Sequence, residues 1–413
     1  MPPCVIMRLS LEPIGLHAHR RRAADARAVA LQSPWVRPDR DRVPLFALRI
    51  LRVVTNLLGG WIAARSGVKV TLYGGLALQI GALVMLAMLD PAWGRVLSVS
   101  YVMATQALSG VAKDLTKMSA KTAIKVVVPQ GEESALFQWV ARLTGSKNAL
   151  KGAGFFLGGA LLSVLGFVGS LLAMALALTL VLVGTNLALP GTLGKAKTKV
   201  KFSHLLAKSP AVNWLAADRL FLLGARDIWF VVALPVFLAS TLGWSFWRVG
   251  AFPAAWFIGY GIVQAAVPEI LRQAGSRRGV TGETARVWAL ILAFIPALLC
   301  IPLAMRSALE SAVIIGLALF GVVFAINSSV HSYLILAYSD DDKVATNVGF
   351  YYMANAGGRL LGAFLSGVVF QAFGLTGCLL GSSLMLLAAG IFSFKLPTAQ
   401  AVPISIHLSE AES

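Results

Sequence analysis

Long apolar segments separated by short polar breaks run through most of this 413-residue chain, from residue 45 to residue 395. A membrane-spanning helix needs about 20 mainly apolar residues, and segments near that length recur along this whole stretch. Only 13% of the residues are charged, whereas a soluble globular chain carries about 25% charged residues. The sequence therefore predicts an all-α integral membrane protein that lies in a lipid bilayer.

Eleven spanning helices are predicted, and one long polar break divides them. The predicted spans are 45–63, 71–89, 96–117, 137–163, 168–189, 211–239, 248–270, 287–304, 311–338, 347–370 and 375–395. The long break at 190–210 carries five lysines. These boundaries predict an N-terminal helical bundle at 45–189, a cytoplasmic linker at 190–210, a C-terminal six-helix bundle at 211–395 and a cytoplasmic tail at 396–413.

The cations of the polar breaks predict the orientation in the membrane, because cytoplasmic loops are enriched in Lys and Arg. Every second break is cationic, and the other breaks hold few cations. The cationic set comprises Arg65 with Lys69, Lys121 with Lys125, the linker lysines, Arg272 to Arg286, and Lys395. We therefore expect these breaks and the C-terminus to face the cytoplasm.

Residues 1–44 differ from the rest of the chain. They hold eight arginines and lack the apolar run of about 7–15 residues that a signal peptide needs. The segment is predicted to be disordered. The orientation above places the start of the 45–63 span outside, directly after these arginines. An even number of helices would remove this conflict, so one spanning helix is expected to be missing before residue 45.

The net charge of +18, from 36 Lys and Arg against 18 Asp and Glu, limits the possible partners. A nucleic-acid-binding protein would gather its cations on a soluble domain, and none is predicted here. Cations in cytoplasmic loops, together with cations inside the bundle of an anion carrier, fit better. The scattered Cys4, Cys300 and Cys378 predict neither a metal site nor a disulfide framework. No cofactor is predicted. The sequence offers no nucleophile–base pair of the kind that would indicate an enzyme.

Lysines inside the predicted bilayer region indicate the chemistry, because a charge at a helix centre costs about 2.5–3.5 kcal/mol and needs a reason. Lys113, Lys117, Lys121 and Lys125 recur at every fourth residue and so share one helix face. Lys121 and Lys125 are expected to snorkel to the cytoplasmic surface. Lys113 and Lys117 lie deeper, and two roles stay open for them: contact with the substrate, or a structural ion pair with Asp114.

The next span repeats this spacing with Lys147 and Lys151. Lys147 lies about 15 Å along its predicted helix, near the middle of the bilayer, where snorkelling cannot explain a lysine. Lysine binds phosphate or carboxylate groups as a point charge. Two neighbouring spans with lysines at this depth therefore predict a cationic cavity for a small anionic substrate.

The second half adds arginines and titratable groups. Arg226 and Arg359 are predicted to reach the substrate, although Arg226, like Arg219 seven residues before it, could instead pair locally. Transport coupled to protons needs a titratable group in the pathway. The candidates are Asp114, Asp218, Asp227 and His331. For each of these, a structural ion pair or hydrogen bond is an equally good interpretation.

The break between the first two predicted spans reads Gly60-Trp-Ile-Ala-Ala-Arg65-Ser-Gly67-Val-Lys69. This resembles the loop motif G-x-x-x-D-R-x-G-R-K of the major facilitator superfamily, with Ala64 where many members have Asp. The resemblance implies a fold of two six-helix bundles, twelve helices in total, that carries small substrates by alternating access. It also implies that Gly60, Arg65, Gly67 and Lys69 form a conformational loop motif.

Longer strings resemble the organoarsenical-efflux branch of that superfamily: VTNLLGGWIAARSG, QALSGVAKDLTKMSAKTAIK, LTGSKNALKGAGFFLGG and LFLLGARDIWFVVALPVFL. The resemblance implies a monomer in the bacterial inner membrane that exports 1-arseno-3-phosphoglycerate. It further implies arsenate resistance and a functional partnership with a glyceraldehyde-3-phosphate dehydrogenase. Two alternatives stay open. The chain could be a permease for another organic anion or phosphorylated metabolite. It could also be an inactive truncated copy, because residues 1–44 lack the first helix of that branch.

Overall fold

The computed structural model describes residues 42–90, 92–129, 131–188, 209–273, 280–305, 308–340 and 343–398, and within these ranges the regular structure is helical, without strands. The helices are α1 (Arg42–Ser66), α2 (Val68–Ala87), α3 (Arg95–Val127), α4 (Glu133–Ala188), α5 (Pro210–Phe230), α6 (Ala233–Ser240), α7 (Phe246–Gln273), α8 (Gly282–Met305), α9 (Leu309–Ala337) and α10 (Val344–Ser393). This confirms the predicted all-α fold.

Two of these helices are interrupted by a glycine. Gly166 in α4 has φ 67° and ψ −173°, and Gly374 in α10 has φ 63° and ψ −161°. Residues with a Cβ rarely adopt these angles, so glycine permits the break at both positions. With each interrupted helix counted as two segments, and α5 with α6 as one, the described helices correspond to the eleven predicted spans. Among the described residues, seven helical stretches are long and apolar enough to cross a membrane.

The break between α5 and α6 is stabilised by a side chain from α10. The backbone N–H groups of Val232 and Ala233 donate to Ser366 Oγ, at 3.3 and 3.2 Å. Because unsatisfied backbone groups are costly in an apolar environment, this hydroxyl makes an irregular turn tolerable inside the bundle. At its other end, α5 begins with Ser209 as the N-cap residue and Pro210 at the first helical position, a favourable combination.

Glycines allow the two halves of the chain to approach closely. Gly60 of α1 faces α10, where a Cβ on Gly60 would lie 2.8 Å from both the Ala345 carbonyl oxygen and Gly349 Cα. Gly145 of α4 similarly faces Gly261 of α7. Small residues at such crossings let helix backbones come into contact, which supplies much of the packing energy between helices in a membrane.

The outer surface is apolar, and the second half contains an aromatic core. Large apolar side chains such as Leu180, Phe294 and Leu384 are exposed, as expected for a surface that faces lipid. Inside, the fully buried Trp229 packs edge-on against Phe320, with ring centroids 5.0 Å apart. Aromatic packing of this kind stabilises the contacts between the helices of the second half.

Helix boundaries differ from the prediction at several places. The first described helix begins at Arg42, so residues 42–44 are helical and not disordered as expected, and α3 continues to Val127, ten residues beyond the predicted end at 117. The reason for the second difference is that Lys121 lies inside the bundle, as described below. Residues 1–41, most of the predicted linker and residues 399–413 lie outside the described ranges.

Candidate functional site

Three lysines of the first half are exposed although they lie within long helices: Lys113 in α3, and Lys147 and Lys151 in α4. The charge of Lys147 interacts with those of Lys113, Lys117, Arg219 and Arg359, and Lys151 interacts with Arg359, Arg226 and Lys113. Cations from both halves therefore surround one accessible space, which we call the central cavity. The structure brings the predicted lysines and Arg359 together at this cavity.

Lys117 belongs to a polar network at the side of the cavity. Its Nζ lies 3.3 Å from Asp114 Oδ1 and 3.2 Å from Asn56 Oδ1. The other carboxylate oxygen, Asp114 Oδ2, accepts from Asn56 Nδ2 at 3.0 Å and from Thr55 Oγ1 at 3.3 Å. The ion pair between Lys117 and Asp114, one of the two roles left open by the sequence, is therefore present. Lys117 also faces Tyr352, with Nζ 3.8 Å from the ring centroid.

Asp227 joins the two predicted arginines. Its Oδ1 accepts from Arg226 Nε and Nη2, at 2.7 and 2.5 Å, and its Oδ2 accepts from Arg359 Nε at 3.0 Å. The Arg226 side chain is only 8% exposed, whereas that of Arg359 is 46% exposed. Arg226 thus pairs locally, and Arg359 presents its free edge to the cavity.

Two of the four proton-coupling candidates meet away from these cations. His331 Nε2 lies 3.3 Å from Asp218 Oδ2, and both side chains are fully buried. The Ser393 hydroxyl donates to the same carboxylate oxygen. Among the described residues, Asp218 Oδ1 and both ring nitrogens of His331 have no hydrogen-bond partner, so the imidazole lies beside the carboxylate without a hydrogen bond to it. These side chains connect α5, α9 and α10 and leave buried polar atoms without a partner.

Lys121 is completely buried, so the expectation that it snorkels to the surface is wrong. Its Nζ lies 4.8 Å from the Tyr351 ring centroid and 5.5 Å from that of Tyr352. Cation–π contacts of this kind hold an ammonium group inside a bundle at lower cost. Lys125, one turn further along, is half-buried.

Arg219 approaches the same tyrosine from the second half. Its guanidinium carbon lies 5.4 Å from the Tyr351 ring centroid. Arg219 Nε donates to Asn355 Oδ1 at 2.7 Å, and Nη2 donates to Ser328 Oγ at 3.0 Å. The sequence prediction omitted Arg219, Lys121 and Tyr351 from the site. The recurrence of lysine at every fourth residue continues past Lys117 to Lys121, and this pattern was the sequence signal for Lys121.

Close packing blocks one end of the central cavity. At this end, Gly60 meets Gly349, and Tyr333 OH lies 3.0 Å from Glu133 Oε2. Lys121 and the two tyrosines lie between these contacts and the cavity lysines along α3 and α10. We call this the closed end, and it is the end where α1 and α3 terminate and α4 and α10 begin.

The loop motif lies between α1 and α2 at the closed end. Gly67 has φ 90°, which accounts for the glycine in the motif. Arg65 and Lys69 each face a neighbouring ring, at 5.4 Å from the centroids of Trp61 and Tyr73. Gly60 is the motif residue that contacts α10. Gly60 therefore links the loop motif to the contact between the first half and α10.

Comparisons with known proteins identify the fold. No protein-family model matches the sequence, and no curated protein matches it. Among solved structures, a bacterial homologue of the iron transporter ferroportin in an outward-facing state has a TM-score of 0.70 at 15% identity, over 90% of this chain and 93% of that one. The human organic anion transporter MFSD10 gives 0.67 at 18% identity, over 84% and 82%. The proton:xylose symporter XylE of the major facilitator superfamily gives 0.66 at 11% identity, over 91% of both. These similarities show that the chain has the major facilitator fold.

Proposed function

We propose that this chain, which has the fold of major facilitator transporters, is a secondary transporter for a small phosphorylated organic anion. The observation that carries the proposal is the central cavity itself. Lys113, Lys147 and Lys151 are exposed residues there, opposite the half-exposed Arg359. Exposed cations at mid-helix depth favour an anionic substrate, because an oxyanion offsets both their repulsion and their desolvation.

The substrate we propose is 1-arseno-3-phosphoglycerate, exported to give arsenate resistance. Two features support this choice. The sequence strings around Lys113, Lys117, Lys147 and Lys151 resemble the organoarsenical-efflux branch, and the ester carries an oxyanion at each end. Cations distributed over both halves of the cavity suit such a two-ended anion better than a single charge. A glyceraldehyde-3-phosphate dehydrogenase would supply the ester, and we propose a location in the bacterial inner membrane with the C-terminus in the cytoplasm.

The test is export measured with everted membrane vesicles that contain the full chain. The dehydrogenase, glyceraldehyde 3-phosphate, NAD and radiolabelled arsenate are added outside, so that the ester forms in place. We expect label to accumulate in the vesicles only when all components are present. Uptake of labelled 3-phosphoglycerate without arsenate-dependent uptake would favour a permease for another phosphorylated metabolite. Absence of both, with normal membrane insertion, would favour an inactive copy.

For energy coupling, we propose that the Asp218–His331 pair binds the transported proton. Asp114 accepts hydrogen bonds from Lys117, Asn56 and Thr55, and Asp227 is held by two arginines. Both carboxylates are thus committed to structural contacts with charged or N–H donors. In contrast, Asp218 accepts from one hydroxyl and lies beside an imidazole, and its Oδ1 has no hydrogen-bond partner among the described residues.

We expect Asp218→Asn to abolish accumulation driven by a pH gradient while exchange of substrate at equal pH continues. The amide keeps the shape of the carboxylate but cannot cycle a proton. Both rates are measured in reconstituted liposomes. Normal gradient-driven accumulation in this variant, together with its loss in Asp114→Asn, would assign the coupling to Asp114 instead.

A further inference from the structure

Lys121 and Arg219 direct unused hydrogen-bond donors into one buried region at the closed end. Lys121 is 0% exposed and Arg219 is 7% exposed. Among the described residues, Lys121 Nζ and Arg219 Nη1 have no hydrogen-bond partner. The two cations come from opposite halves, α3 and α5, and both face the ring of Tyr351. Buried polar groups normally have partners, so two such donors in one place indicate a missing acceptor.

The charge of this region is not balanced. The charges that act most strongly on Lys121 are those of Arg219, Lys147 and Lys117, all of them positive. Neither nearby carboxylate is hydrogen-bonded to these two donors: Asp114 pairs with Lys117, and Asp218 Oδ2 accepts from Ser393 and lies 3.3 Å from His331 Nε2. Like charges that are buried without a counterion repel strongly, because the surroundings screen them little.

We propose that Lys121 and Arg219 form an inner anion site that binds the phosphate group of the substrate before it reaches the central cavity. An oxyanion is the class that fits, because an ammonium point charge and one edge of a guanidinium together offer several charged donors. Tyr351 and Tyr352 separate this site from the lysines of the cavity. The inference rests on the proposed function in assuming that the substrate is phosphorylated.

The inner site also has a consequence for the transport cycle. Lys121 and Arg219 are like charges, and their repulsion opposes the packing of α3 and α1 against α10 and α5. An oxyanion can reach the pair only when the closed end opens. An anion that binds only the open form shifts the population towards it. Phosphate bound at this site is therefore expected to stabilise the state in which the closed end is open.

The experiment follows the opening of the closed end with a reporter cysteine. Ala345→Cys is introduced into the full chain after the three native cysteines are replaced, because Ala345 is only 5% exposed where it packs against Ala63 and Ala64. Labelling by a maleimide reagent is then measured against the concentration of inorganic phosphate. We expect phosphate to accelerate labelling, with a half-maximal concentration about tenfold higher in Lys121→Gln, as for the loss of one charged hydrogen bond.

Matched variants keep the result interpretable. Lys125→Gln removes a lysine one turn away and should respond like the parent, whereas Arg219→Gln should respond like Lys121→Gln. Lys121→Arg retains the charge and should keep most of the response. Monodisperse elution of each variant in detergent confirms folding. A parent protein insensitive to phosphate, or equal responses of Lys121→Gln and Lys125→Gln, would overturn the site.

This outcome is separate from that of the vesicle assay. If arsenate-dependent export fails but the phosphate response still depends on Lys121, the inner site stands and the substrate proposal is wrong. If export is observed and the response does not depend on Lys121, the inner site is wrong and the proposed function stands.

Discussion

The two halves of the chain hold their cations differently. In the first half, Lys113, Lys147 and Lys151 are exposed residues at the central cavity. In the second half, Arg219 and Arg226 are buried and make short hydrogen bonds to named partners. A lysine is a flexible point charge, whereas a guanidinium fixes the geometry of several hydrogen bonds at once. We infer that the exposed lysines bind the substrate in the central cavity and that Arg226 holds the cavity wall in place.

The largest effect is expected at the wall, from Asp227→Asn. This change leaves Arg226 buried beside a neutral amide and weakens the hold on Arg359. Breaking a buried ion pair from one side destabilises a protein by about 3–5 kcal/mol, because an uncompensated charge stays inside. The free energy of unfolding, measured in mixed detergent micelles, should fall by about that amount.

A second substitution tests the cause of this loss. Adding Arg226→Gln to Asp227→Asn removes the stranded charge and should restore part of the stability. If the double variant is as unstable as the sum of the single variants, the two residues do not act as a pair. In that case the second half would lack the fixed wall that distinguishes it from the first half.

A smaller effect, and on binding instead of stability, is expected from Lys147→Gln. Lys147 is exposed, so its loss should leave the free energy of unfolding unchanged. The loss of one charged hydrogen bond to a phosphate corresponds to about 1.5–3 kcal/mol, so half-saturation of vesicle uptake should rise at least about tenfold. Lys147→Arg should retain most of the affinity, and Lys125→Gln serves as the control. Equal uptake in Lys147→Gln and Lys125→Gln would contradict the role given to the cavity lysines.

The sequence predicted the fold and the lysine face of the site, but not the partners of the charges. Helical periodicity places Lys113, Lys117 and Lys121 on one face, because each turn repeats the direction of the side chain. Periodicity does not give the depth of burial. The predicted span therefore ends at residue 117, ten residues before the end of α3, and Lys121 is expected at the surface. The contact from Asp227 to Arg359 spans 132 residues. No local pattern encodes such a pair, since it depends on how α5 packs against α10.

The smallest effect on the free energy of unfolding is expected at an exposed ion pair of the second half, between Arg248 and Glu310. Arg248 Nη2 lies 2.5 Å from Glu310 Oε1, with side chains 55% and 45% exposed. Exposed ion pairs contribute about 0–1 kcal/mol, because water screens them and both side chains lose freedom. Glu310→Gln should therefore lower the free energy of unfolding by less than about 1 kcal/mol. Arg248→Ala should cost slightly more, since Arg248 also covers the ring of Trp244. A loss as large as that of Asp227→Asn would show that burial is not what distinguishes the two arginine pairs.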